Sequence, residues 1–153
     1  MADPLKDLDL PEPPAPVGAY ERGMVHGGIG FLSGQFPLRD GKLVHIGRVG
    51  SELTEAEGRQ AAEIAALNAI AGIRALLEGD LSCLASLLRV DGYVASAEGF
   101  ERQPWVLDGA SEAFRRMLGD RGRHARAAFA VPCLPLNAPV ELVVTFGVSG
   151  KRA

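Results

Sequence analysis

Apolar and polar positions along this chain change period several times, and each change marks an element. From Tyr20, short runs rich in aliphatic and aromatic residues, YERGMV and IGFLSG, predict two strands. Gly27-Gly28 between them supplies the positive φ angles that a tight hairpin needs. A second turn is expected at Arg39-Asp40-Gly41-Lys42. Thr54-Glu55-Ala56-Glu57 then spells a capping box and opens a helix. Along that helix Gln60, Glu63, Arg74 and Glu78 form a polar stripe. Ala61, Ile64, Ala65, Asn68, Gly72 and Ala75 form a small-residue stripe suited to close packing on a sheet, and Gly79 stops the helix.

Leu84–Ala95 reads as a third strand. Pro104 suits the first position of a second helix, with Val106, Ala110, Ala113, Phe114, Met117 and Leu118 on its apolar face and Gly119 at its end. Ala125–Val131 and Val140–Val148 close the chain as strands, separated by a turn at Leu136-Asn137-Ala138-Pro139. The order β-β-α-β-α-β-β predicts a two-layer α+β domain with helices on one face of a mixed sheet. Its other face is left bare, and oligomerisation is the natural way to cover it.

Residues 1–17 carry five prolines, which fix φ and remove backbone donors, so they predict an extended arm ahead of a single domain over residues 18–153. Two fates fit such an arm equally: lying across a neighbouring subunit, or loose order. With 47% hydrophobic and 23% charged residues, a disordered chain is excluded. The net charge of −3 comes with no basic stripe long enough to follow a phosphate backbone, which argues against a nucleic-acid partner. Cys83 and Cys133 are too few for a disulfide framework and are read as buried or half-buried thiols in a reducing cytoplasm. Neither a signal-peptide pattern nor a membrane-spanning run is visible, so a soluble cytoplasmic protein is expected.

Several chemistries find no support. His26, His45 and His124 share no ligand spacing with each other or with the cysteines, so no bound metal is expected. Gly28, Gly30 and Gly34 have the wrong spacing for a dinucleotide loop, and no helix opens after them. Ser33 has no nucleophile-elbow context.

Five segments in order carry a resemblance: Gly18-Ala19-Tyr20, Phe31-Leu32-Ser33-Gly34-Gln35, Ala66-Leu67-Asn68-Ala69-Ile70, His124-Ala125-Arg126-Ala127, and Leu134-Pro135 followed by Val140-Glu141-Leu142. Together they resemble the RidA (YjgF) superfamily, whose older labels are endoribonuclease L-PSP and translation initiation inhibitor. The likeness is strongest to a divergent branch with a GASExF helix and a GRHARxA strand, here Gly109–Phe114 and Gly122–Ala128. It implies a chorismate-mutase-like fold and a homotrimer packed sheet-to-sheet into a barrel. It also implies a pocket for small carboxylates at each subunit boundary, where the best-known members hydrolyse enamines or imines to a 2-oxo acid and ammonia without a cofactor.

On that resemblance Arg126 matches the arginine that pairs with the substrate carboxylate, a task suited to a planar guanidinium. An unpaired charge at the start of an apolar strand would be costly, which favours a ligand over a surface role. Glu141 matches the glutamate beside the attacking water; a solvent-facing strand charge is the equally weighted alternative. Tyr20 and Ser33 match pocket-lining positions, and Gly34 would let backbone amides approach the ligand. Asn68 is read as structural, satisfying a buried backbone group. This chain departs from the deaminase pattern, with Ala127-Ala128 for a Ser-Cys pair and Asp108 and Ser111 for an asparagine and an aromatic. A carboxylate at Asp108 would repel an anionic substrate if it faced the pocket. The leading expectation is a metal-free imine or enamine deaminase. A non-catalytic trimeric sensor of small carboxylates is the alternative, and RNA cleavage comes last.

Overall fold

The structure is a computed structural model and describes Leu5 and residues 7–150. Strands β1 (Gly23–His26) and β2 (Ile29–Gln35) form the first hairpin, and β3 (Leu38–Arg39) and β4 (Lys42–Leu43) a short second one. Helix α1 (Glu55–Leu76), β5 (Leu84–Ala95), α2 (Gln103–Leu118), β6 (Ala125–Val131) and β7 (Val140–Val148) follow. The five-stranded sheet has the order β1-β2-β7-β5-β6. It is mixed: β5 and β6 run parallel across the α2 crossover, and the other neighbours are antiparallel.

Local chemistry accounts for the boundaries. Gly27 and Gly28 have φ of 58° and 77°, and they join His26 to its partner Ile29 through a two-residue turn. The second hairpin turns in the same way at Asp40 and Gly41. At α1, Thr54 Oγ1 accepts from the Glu57 amide at 3.2 Å while Glu57 Oε2 accepts from the Thr54 amide at 2.8 Å, so both halves of the capping box form.

Strand β7 shows how the layers divide. Val140, Leu142, Val144, Phe146 and Val148 are buried toward the helices, while Glu141, Val143 and Thr145 point the other way. Under the helices, Leu142 and Phe146 meet Ile70 and Ile73 of α1 and Leu107 and Phe114 of α2 in one core.

Three expectations need correction. The small-residue stripe of α1 is too narrow, because α2 packs along its flank and buries Ala62, Ala66, Ala69, Ile70 and Ile73 as well, whereas Ala75 is exposed. The first strand begins at Gly23 rather than Tyr20, since a tight turn from the Gly18 carbonyl to the Tyr20 amide holds Tyr20 outside the sheet. Cys133 is exposed; only Cys83 is half-buried.

The stretch ahead of residue 18 folds back in part on its own chain. Leu5 is buried, Leu8 and Leu10 pack against the core, and Arg74 Nη1 donates to the Leu8 carbonyl at 3.1 Å. Asn68 is 1% exposed and donates through Nδ2 to the carbonyls of Phe36 at 2.9 Å and Leu38 at 2.8 Å, tying the end of the first hairpin to α1. Asn68→Ala strands two buried acceptors, so a loss of about 1–3 kcal/mol is expected. Guanidinium unfolding should show it as a lower midpoint at unchanged slope.

The sheet face away from the helices is open. Met24, Ile29, Phe31, Leu88, Phe129 and Val143 lie there and are 36% to 60% exposed. Single exposed apolar residues are ordinary; here six of them share one sheet face.

Candidate functional site

The sequence-predicted site residues fall into two groups on different parts of the protomer. The first is built around an irregularity in β2. Leu32 pairs with Val144 and Gln35 with Leu142, so two residues, Ser33 and Gly34, oppose Val143 alone. This bulge turns Gly34 toward β7, where the Glu141 carboxylate lies against its Cα with no room for a Cβ. A Cβ here would meet the end of the flexible Glu141 side chain, so a larger residue would push that carboxylate aside. Glu141 is half-buried beside Tyr93 on the open sheet face, and burial raises its pKa above the ordinary carboxylate value.

Ser33 and Gly34 line a pocket with Tyr20, Arg22, Pro16 and Leu136. The Ser33 hydroxyl donates to the Glu21 carbonyl at 2.7 Å, so its hydrogen serves the strand end and only its oxygen lone pairs face other partners. Tyr20 is half exposed, and its Oη accepts from the Val17 amide at 3.4 Å.

Arg126 heads the second group. Its backbone pairs with inward-facing Val90, and its side chain reaches α2 on the helix side of edge strand β6. Nη1 donates to Asp108 Oδ1 at 2.9 Å and to Ser111 Oγ at 3.0 Å, and Nη2 donates to the Pro104 carbonyl at 3.2 Å. Asp108 therefore does face this site, and it neutralises the arginine. The unpaired arginine expected at a strand start is paired, which leaves two of its five donors for a ligand among the described residues.

His124 completes this group and was not a predicted site residue. Its Nδ1 lies 2.7 Å from the Gly122 carbonyl, which only accepts, so Nδ1 carries the hydrogen. Nε2 is then the acceptor, 2.9 Å from Ser111 Oγ. Burial is the main cause holding its pKa below the ordinary value; Arg126 and Arg115 push the same way, and the Gly122 carbonyl opposes them. The groove is lined by Ser111, Arg115, Gly122, Arg123, His124 and Arg126, so three arginines and no carboxylate form its wall, with Asp108 paired to Arg126 beside it. The sequence signal lay in the GASExF and GRHARxA segments: the fold brings Ser111 from one onto His124 and Arg126 from the other.

Within one protomer the two groups do not meet. Glu141 on β7 and Arg126 on β6 are separated by β5, and their side chains leave opposite faces of the sheet. Among the described residues no cluster of three or more His, Cys, Asp or Glu could hold a metal ion, and no helix is long and apolar enough to cross a membrane.

Helices on one face of this mixed sheet, with a bulged strand beside a half-buried glutamate, define the chorismate-mutase-like class of two-layer α+β proteins. Residues 5–148 match the family described as "YjgF/chorismate_mutase-like, putative endoribonuclease", and the chain belongs to that family. It is 35% identical over 136 residues to Protein TCP17 of Trypanosoma cruzi, covering 88% of this chain and 84% of that protein. The solved structure of Atu1372, a protein of unknown function from Agrobacterium tumefaciens, superposes with a TM-score of 0.83 at 38% identity, covering 84% of this chain and 82% of that one. A "putative endoribonuclease" from Shewanella oneidensis superposes with a TM-score of 0.88 at 35% identity, covering 92% and 93%.

Proposed function

We propose that this protein is a homotrimeric, metal-free deaminase that hydrolyses small 2-imino acids to a 2-oxo acid and ammonia in pockets between subunits. The observation that carries the reading is the half-buried Glu141, without an ion-pair partner among the described residues, on an open apolar sheet face, with the cationic Arg126 groove elsewhere on the same chain. A pocket closed by a second copy would use both groups and cover that face.

In such a pocket the free donors of Arg126 hold the substrate carboxylate as a charge-assisted pair. Glu141, kept more basic than an ordinary carboxylate, takes a proton from water as the water oxygen bonds to the imine carbon. Glu141 returns that proton to the imine nitrogen, giving the carbinolamine, and then carries the hydroxyl proton to the same nitrogen as it leaves as ammonia, giving the 2-oxo acid. One observation favours a second reading, a carboxylate sensor without turnover: Asp108 already occupies Arg126 and competes with an anionic ligand.

Ammonia release from freshly generated 2-iminopropanoate separates the two. Acceleration over spontaneous hydrolysis is expected; pyruvate binding without acceleration leaves the sensor reading in place. Light scattering should give three times the 16.1 kDa chain mass. A monomer at micromolar concentration overturns the interfacial pocket.

A further inference from the structure

The first pocket contains an arginine that neither the family match nor the mechanism above uses. Arg22 directly precedes β1 and lines the pocket formed by Tyr20, Ser33 and Gly34. Its Nη1 is buried and has no hydrogen-bond partner among the described residues. A guanidinium nitrogen withdrawn from water without a partner is destabilising, and such a group in a folded protein calls for an explanation.

None of the polar side chains around it accepts a hydrogen bond from Nη1. Ser33 gives its hydroxyl hydrogen to the Glu21 carbonyl, Gln35 Nε2 donates to the Ser33 carbonyl at 2.9 Å, and Tyr20 Oη accepts from Val17. Glu141 abuts Gly34, and burial raises its pKa. Among the described residues no carboxylate pairs with the Arg22 guanidinium, whose buried Nη1 stays unsatisfied. Elsewhere the pocket wall is apolar, with Val17, Phe36 and Leu136. That combination suits a short carbon chain ending in an oxyanion.

We propose that Arg22 is a second anchor, binding a distal carboxylate of the ligand, so that the site selects dicarboxylic 2-imino and 2-oxo acids over monocarboxylic ones. This rests on the reading that Arg126 and Glu141 serve one ligand: Arg126 takes the carboxylate next to the reacting carbon, and Arg22 takes the far one. A planar fork is suited to a carboxylate, and an ammonium reproduces its charge but not its paired geometry.

The test is calorimetric binding of 2-oxoglutarate and of 2-oxopentanoate, which has the same chain length without the distal carboxylate. Wild type should favour 2-oxoglutarate by about tenfold or more, the scale of one charged hydrogen-bonding partner. In Arg22→Gln the ratio of the two affinities should fall to about one, and Arg22→Lys should fall between. A wild-type ratio near one, or a ratio unchanged in both variants, overturns the proposal; if Arg22→Gln fails to fold, Arg22→Lys alone decides by the same criterion. Turnover of 2-iminopropanoate measured alongside separates the two readings. Turnover with a flat ratio removes the Arg22 anchor only, and an Arg22-dependent ratio without turnover removes the deaminase and leaves the dicarboxylate site.

Discussion

Glu141→Gln is expected to lower turnover of 2-iminopropanoate by about a hundredfold or more, the usual scale for loss of a general base. Glutamine keeps the shape against Gly34 but cannot accept a proton from water. On the proposed reading Arg126 holds the carboxylate, so pyruvate binding should change little. The raised pKa of Glu141 also sets the sign of the pH dependence. The carboxylate form that accepts the proton is lost as pH falls through its raised pKa, so the acid limb of activity in wild type should lie above 4.5 and vanish with the glutamate. The same shift makes ionised Glu141 a liability for folding above that pH, so the glutamine variant should melt no lower than wild type at neutral pH. A variant that loses pyruvate binding and turnover together would mean that Glu141 shapes the pocket instead of acting on water.

Arg126→Ala is expected to weaken pyruvate binding or transition-state stabilisation by about 2–3 kcal/mol, the scale for a charged partner, with Arg126→Lys also impaired because it lacks the fork. The fold should persist. The Arg126–Asp108 pair is partly exposed, at 22% and 46%, and pairs of that kind contribute little to stability. Asp108 pairs with Arg126, so on the proposed reading Asp108→Ala should strengthen pyruvate binding while Arg126→Ala weakens it. Calorimetry on both variants checks the opposing signs. Unfolding of Arg126→Ala by circular dichroism would make the residue structural.

Much of the fold was legible because its signals are local. The capping box at Thr54 and Glu57, the paired glycines at 27 and 28, and the alternation along Val140–Val148 each act through bonds within a few residues. The role of Asn68 was legible for a related reason, since a lone amide on a buried helix face must find backbone partners. The breadth of α1 burial was not, because it depends on α2, which follows it across β5. The resemblance also picked out Tyr20, Ser33, Gly34, Arg126 and Glu141, but residue order along a chain says nothing of which face or layer each will occupy.

What the sequence determined by itself is the element order, the caps and turns, and the bare sheet face, since short-range hydrogen bonding and side-chain periodicity suffice for these. Only the tertiary structure decided the chemistry around them. The β2 bulge brings Gly34 onto Glu141, the β5-α2-β6 crossover sets Asp108, Ser111 and His124 around Arg126, and the pocket wall leaves Arg22 Nη1 without a hydrogen-bond partner among the described residues. These contacts join residues distant in the chain, and strand register, burial and competing partners govern them.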